Sequence, residues 1–330
     1  MTHFKLPAVP AAFFGMILGL VGLGGCWRLA AKLWSLPGGI GETLMLGATV
    51  VWAVLILLYV AKWIWRRPEA LAEFQHPVLC CFIGLVPVST ALIGLALLPY
   101  SRKAAFALAV VGVVGQLGFG VYRSGRLWMG GRDPATTTPV LYLPTVAGSF
   151  VSAIVLAAFG HADWGVPFFG AGMLSWLSIE SVLIHRLYTL SELPVALRPT
   201  LGIQLAPPVV GCAAYLSLTS GVPDMFAQAL LGYGVLQSLL LIRLLPWIGK
   251  APFAAGYWAF TFGVAAIAQS MLRFVERGAT GPIAAAAPYV FAAATAIIGG
   301  IALGTIWLLL RGRLLPAPAP VAPVAPATAS

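Results

Sequence analysis

Of the 330 residues, 60% are hydrophobic and 8% are charged. A soluble domain carries about 25% charged side chains, so most of this chain's surface cannot face water. The net charge of +10 reads as topology and contact with acidic lipid heads, and not as nucleic-acid binding.

Ten apolar stretches have the length, about 20 residues, that a helix needs to cross about 30 Å of hydrocarbon. They run over 8–27, 40–61, 77–98, 104–122, 139–160, 165–184, 199–219, 226–242, 253–272 and 283–310. The expected fold is therefore an all-α integral membrane protein whose membrane domain spans 1–315. The first stretch holds Gly15, Gly19 and Gly22 and ends at Leu23-Gly24-Gly25-Cys26, a run resembling a lipoprotein signal. Nine further spans follow, so it is read as an ordinary first helix. Cys80 and Cys81 open the third span, which also holds Pro87. Neighbours on a helix point about 100° apart, so the pair is read as buried thiols and not as a site for a soft oxyanion.

Pro144 lies within the fifth span, and Pro207 and Pro208 lie within the seventh. The interiors of spans two, four, six and eight are read as free of proline. A proline removes one backbone donor and clashes with the carbonyl four residues earlier, here Ile83, Val140, Ile203 and Gln204. Freed carbonyls are costly against lipid, so kinked helices belong inside the protein or beside a water-filled path. The expected architecture is an inner ring of kinked odd spans around a central pore, with the even spans outside.

Glu180 lies deep in span six, where insertion scales set the cost of a carboxylate at about 2.5 to 3.5 kcal/mol. Two readings remain open. One is a structural bond to Arg243 or to a serine among Ser175, Ser178 and Ser181; the other is a proton-coupling group. In span nine, Trp258, Phe262, Ala265 or Ala266, and Gln269 fall on one face at spacings of three and four. The residues after 315 are rich in Pro and Ala and read as a flexible tail over 316–330.

With the amino terminus inside, the inner segments hold thirteen of the nineteen Lys and Arg residues: Lys5, Lys62, Arg66, Arg67, Arg123, Arg126, Arg132, Arg186, Arg198, Arg243, Lys250, Arg311 and Arg313. That bias sets both termini in the cytoplasm. No phosphate-binding loop, HExxH or Cys/His metal spacing occurs, so neither an enzyme nor a cofactor or metal is expected.

The segments Phe13-Phe14-Gly15, His76-Pro77-Val78, Tyr142-Leu143-Pro144, Phe168-Phe169-Gly170-Ala171-Gly172-Met173, Leu205-Ala206-Pro207, Leu231-Gly232-Tyr233-Gly234, Arg243-Leu244-Leu245-Pro246-Trp247 and Trp258-Ala259-Phe260-Thr261-Phe262-Gly263 together resemble the tellurite-resistance and dicarboxylate transporter family. That family includes the slow anion channels of plant guard cells. The resemblance implies five helical hairpins, a homotrimer in the bacterial inner membrane with one pore per subunit, and a gate at Phe262. It also implies a pore scaffold of Phe14, Gly15, Pro87, Pro144, Pro207 and Gly263. Pro208 and Gln204 depart from the bacterial pattern. The expected function is an anion channel for chloride or nitrate, with a proton-coupled C4-dicarboxylate carrier or a tellurite exporter as alternatives.

Overall fold

A computed structural model describes residues 7–315; the tail expected at 316–330 lies outside the described residues. Among those described, the chain forms helices and no strand. Ten helices are long and apolar enough to cross a membrane: Ala11–Trp34, Gly38–Trp65, Leu79–Leu97, Arg102–Trp128, Pro139–Ala158, Ala162–Thr189, Val195–Leu218, Met225–Ile248, Ala255–Glu276 and Pro282–Leu310. They are numbered here as spans one to ten. Several outrun the apolar stretches that predict them, because hydropathy marks the hydrocarbon and the helix continues into the interface. Cys26 is a fully buried residue of span one, and its thiol donates to the Ala265 carbonyl at 3.3 Å.

Successive spans pair as five hairpins. Span one packs on spans three and nine, span nine on seven, seven on five, and five on three, which closes a ring of odd helices. Burial divides the helices the same way. In the most apolar stretch of each odd span 61% to 78% is buried, against 17% to 33% for the even spans. The even helices therefore present their apolar surface outward, as lipid requires.

The odd spans also differ in backbone. Each opens with a 3-10 segment, Ala11–Phe14, Leu79–Gly84, Pro139–Tyr142, Val195–Leu205 and Ala255–Phe260, before a regular α-helix. Span five adds a π segment, Leu143–Ala147. The even spans are α throughout, yet Pro167 and Pro246 lie inside spans six and eight. The expectation that even spans lack interior prolines is thus corrected. The tight opening segment, and not proline, distinguishes the two kinds of helix.

The prolines nonetheless explain part of that segment. Pro144 has no N–H for the Val140 carbonyl, and Leu143 N–H takes it; Pro207 has none for Ile203, and Ala206 N–H takes it. A carbonyl losing its partner four residues on accepts from the residue three on, which is 3-10 bonding. Around Pro144 the side chain of Gln116 in span four assists. Its Nε2 donates to Leu143 O at 3.3 Å and Pro144 O at 2.7 Å. Gly148 makes room for it, since a Cβ there would lie 1.8 Å from that nitrogen.

A buried ion pair secures the first hairpin where the odd spans begin. Lys62 Nζ lies 2.8 Å from Glu73 Oε2, with the two side chains 4% and 8% exposed. Glu73 Oε1 also accepts from Ala11 N at 2.8 Å, so a donor at the start of span one is satisfied. The short helix Arg67–Gln75 delivers Glu73; it is too short and polar for a hydropathy reading to detect.

Candidate functional site

Two cavities lie along the axis of the odd ring, and residues of all five odd helices line each. The narrow one, about 70 Å³, sits toward the ends where the odd spans begin. Its wall is mainly apolar and includes Gly15, Leu85, Val146, Ile203, Pro207, Trp258 and Phe262. Two of its polar side chains are engaged elsewhere. The Tyr142 hydroxyl donates to Glu180, and the Thr200 hydroxyl donates to Leu197 O at 2.6 Å.

The wide cavity, about 530 Å³, sits toward the ends where the odd spans finish. Arg28, Lys32, Arg273 and Arg277 line it together with Glu276. Arg273 pairs with Glu276 at 2.7 Å, and Arg28 pairs with Glu42 at 2.7 Å. Arg277 donates to the carbonyls of Leu216 and Thr219. Burial pushes its guanidinium below the ordinary value, and neighbouring Arg273 adds to the effect. Lys32 makes no ion pair among the described residues, so it is an exposed cation facing the cavity.

Phe262 and Val210 line both cavities. Phe262 therefore stands between them, one helical turn from Trp258 on the narrow side and one from Ala266 on the wide side. Gln269 continues the same face into the wide cavity. Phe260, two residues away, turns outward to pack on Tyr257 with ring centroids 6.3 Å apart.

The other positions implied by the resemblance separate into two groups. Gly15 and Pro207 line the narrow cavity, while Phe14, Pro87, Pro144 and Gly263 do not. Phe14 is fully buried against Tyr59, with ring centroids 5.7 Å apart. Pro87 faces Gly115 of span four. Pro144 lines a groove between spans four and six. A Cβ on Gly263 would lie 2.9 Å from Leu205, so this glycine permits close packing of span nine on span seven.

Glu180 lines neither cavity. Its expected partners are corrected: Ser178 and Ser181 donate to backbone carbonyls of their own helix, and no bond joins Glu180 to Arg243 among the described residues. Neutral donors from four spans surround it instead. Trp176 Nε1 donates at 3.0 Å, Gln204 Nε2 lies 2.9 Å from each oxygen, Tyr233 OH donates at 2.9 Å and Gln237 Nε2 at 3.4 Å, together with Tyr142 OH. This shell suits an acceptor-only carboxylate. No cation takes part.

A closed ring of broken helices around two axial cavities that share Phe262, built from ten helices long and apolar enough to cross a membrane, fits a multi-pass membrane protein of the transporter and channel class. The chain belongs to the SLAC1 family, described as voltage-dependent anion channel, which matches residues 8–306. It is 38% identical over 306 residues to the tellurite resistance protein TehA homolog of Haemophilus influenzae, covering 92% of each chain. To the uncharacterized transporter MJ0576 of Methanocaldococcus jannaschii it is 25% identical over 242 residues, covering 66% of this chain and 69% of that one. To the S-type anion channel SLAH3 of Arabidopsis thaliana it is 23% identical over 284 residues, covering 80% of this chain and 43% of that protein.

The cations of the wide cavity are scattered in sequence, and linear reading treats them only as topology charges. Their convergence had one available signal. Arg273 and Arg277 continue by steps of four the face that carries Phe262 and Gln269.

Proposed function

We propose that the protein is a passive anion channel of the bacterial inner membrane, with Phe262 as its gate. The observation that carries this reading is the position of Phe262 as a wall shared by a narrow apolar cavity and a wide basic one. The basic cavity raises the local anion concentration, and the apolar cavity is crossed after partial dehydration, which favours weakly hydrated monovalent anions such as chloride and nitrate. With both termini cytoplasmic, the wide cavity opens to the periplasm, in keeping with the cation bias of the loops. The assembly proposed is a homotrimer in lipid with one pore per subunit and no nucleic-acid partner.

A proton-coupled dicarboxylate carrier fits less well. Its cations are found in the wide cavity, and a doubly charged substrate would meet no cation among the lining residues of the narrow one. Glu180 lies outside the path within a donor-only shell, which supports the structural reading over a proton-coupling one. Tellurite export has only a relative's name behind it and no residue of this chain.

Reconstitution tests the proposal. Phe262→Ala removes the apolar plug, so current in planar bilayers rises well above wild type. Phe262→Leu raises it less, because much of the volume remains, and Phe260→Ala leaves it near wild type. An assembled Phe262→Ala protein that stays silent contradicts the gate, and saturable, proton-dependent succinate uptake by the wild type contradicts passive conduction.

A further inference from the structure

Tyr142 and Gln204 sit on inner helices at the level of the narrow cavity. Both lie in 3-10 segments, Pro139–Tyr142 and Val195–Leu205, directly before the π segment of span five and the Pro207-Pro208 step of span seven. Such segments have poorer hydrogen-bond geometry than an α-helix, so lateral contacts contribute more to their position. For these two segments one lateral contact is shared: Tyr142 OH and Gln204 Nε2 both donate to Glu180, and Gln204 Nε2 lies 3.3 Å from Tyr142 OH. The remaining arms of the shell, Trp176, Tyr233 and Gln237, come from spans six and eight, which are regular α-helices. Glu180 thus ties two irregular inner segments to two regular outer ones.

We infer that Glu180 is a positioning residue for the conduction path: through Tyr142 and Gln204 it holds the opening segments of spans five and seven apart and so sets the width of the narrow cavity. Leu143 follows Tyr142 directly and Ile203 precedes Gln204, and both line that cavity. A shift of either anchor moves the wall with it. Without the carboxylate the two segments relax inward, because an apolar cavity of about 70 Å³ leaves its walls without contacts they would gain by closing. The conductance part of this inference rests on the proposed path, whereas the positioning part does not.

Two measurements separate them. Hydrogen exchange on the otherwise wild-type, assembled protein reads positioning alone. Glu180→Gln speeds amide exchange in Pro139–Ala147 and Val195–Leu205 by about tenfold and changes spans six and eight less. The second measurement uses the opened Phe262→Ala background and compares Tyr142→Phe with Tyr233→Phe. Each removes one hydroxyl bond to the same carboxylate, and Tyr142→Phe also removes the contact with Gln204 that joins the two inner segments. A purely stabilising network would lower the thermal midpoint in both and leave the nitrate-to-chloride ratio unchanged. Positioning predicts that Tyr142→Phe lowers conductance by about threefold and shifts the nitrate-to-chloride permeability ratio, and that Tyr233→Phe does so to a smaller extent. Equal acceleration of exchange in inner and outer helices, or equal effects of the two phenylalanines on conductance, overturns the inference. A silent Phe262→Ala background overturns the gate instead and leaves the exchange result to decide positioning.

Discussion

The two cavities on either side of Phe262 are built from the same five helices and have opposite chemistry. The wide one holds four cations. The polar side chains of Tyr142 and Thr200 in the narrow one are turned to other partners. The contrast comes from the helices themselves. Where the odd spans begin, they are tight, mainly apolar 3-10 segments; where they finish, they are α-helices that present Arg28, Lys32 and Arg273 to the wide cavity, with Arg277 directly after the end of span nine. On the channel we propose, attraction and discrimination are separated along the path: the basic end would gather anions of any kind, and the apolar end would set the cost of dehydration.

The largest effect expected from breaking this division lies in the narrow cavity. Gly15 lines it, and a Cβ there would meet nothing nearer than Leu85 at 3.8 Å, so Gly15→Ala folds normally and places its methyl in the path. In the Phe262→Ala background its current falls by about tenfold, a rise of about 1.4 kcal/mol in the barrier. Gly19, one turn on, is the control. A Cβ there would lie 2.2 Å from Thr261 Oγ1, so Gly19→Ala costs stability, about 1 to 3 kcal/mol by overpacking. Thermal unfolding in detergent separates the pair: a lowered midpoint for Gly15→Ala would remove it from the cavity wall.

A smaller effect belongs to the wide cavity. Lys32→Gln removes an exposed charge without disturbing an ion pair, so anion current through the opened variant drops by about two- to threefold at 0.1 M salt. At about 1 M salt the Debye length is about 3 Å and the difference disappears. A loss independent of salt would mean that Lys32 acts by some means other than its field.

The smallest effect sharpens the account of how the narrow end is held. His76 Nδ1 accepts from the backbone N–H of Val78 and of Leu79, each at 3.1 Å, at the start of span three. Burial lowers its pKa below the usual 6.5. The folded protein then binds fewer protons than the unfolded chain, so the contribution is complete above about pH 6.5 and is lost as pH falls through the folded value. Thermal stability should decline modestly below pH 6.5, and His76→Gln should flatten that decline. An unchanged pH profile in His76→Gln would assign the loss to another group.

Much of this division was legible in the sequence, and the reasons are physical. Span count followed from hydropathy, because the hydrocarbon thickness fixes how many apolar residues a helix must supply. An inner ring of odd spans was expected from Pro87, Pro144 and Pro207, yet Pro167 and Pro246 lie inside even spans, so proline alone did not separate the rings; burial and the opening segments do. The side of span nine that carries Phe262 followed from helical spacing. The opening 3-10 segments did not, since hydropathy is blind to hydrogen-bond register, and Ala11–Phe14 and Ala255–Phe260 contain no proline at all. Nor did the partners of Glu180, which come from Tyr142, Gln204, Tyr233 and Gln237 on three other spans. Lys62 was read only as one of the inner-segment cations, and only the fold of the short helix between spans two and three brings Glu73 against it and buries both.

The most direct test of the central claim is the reversal potential of the assembled Phe262→Ala protein in a tenfold gradient of sodium chloride. A path with a basic mouth and an apolar constriction passes chloride in preference to sodium, so the reversal potential should move toward the chloride equilibrium value, about 59 mV from zero. A shift of that size toward the sodium value would contradict the account.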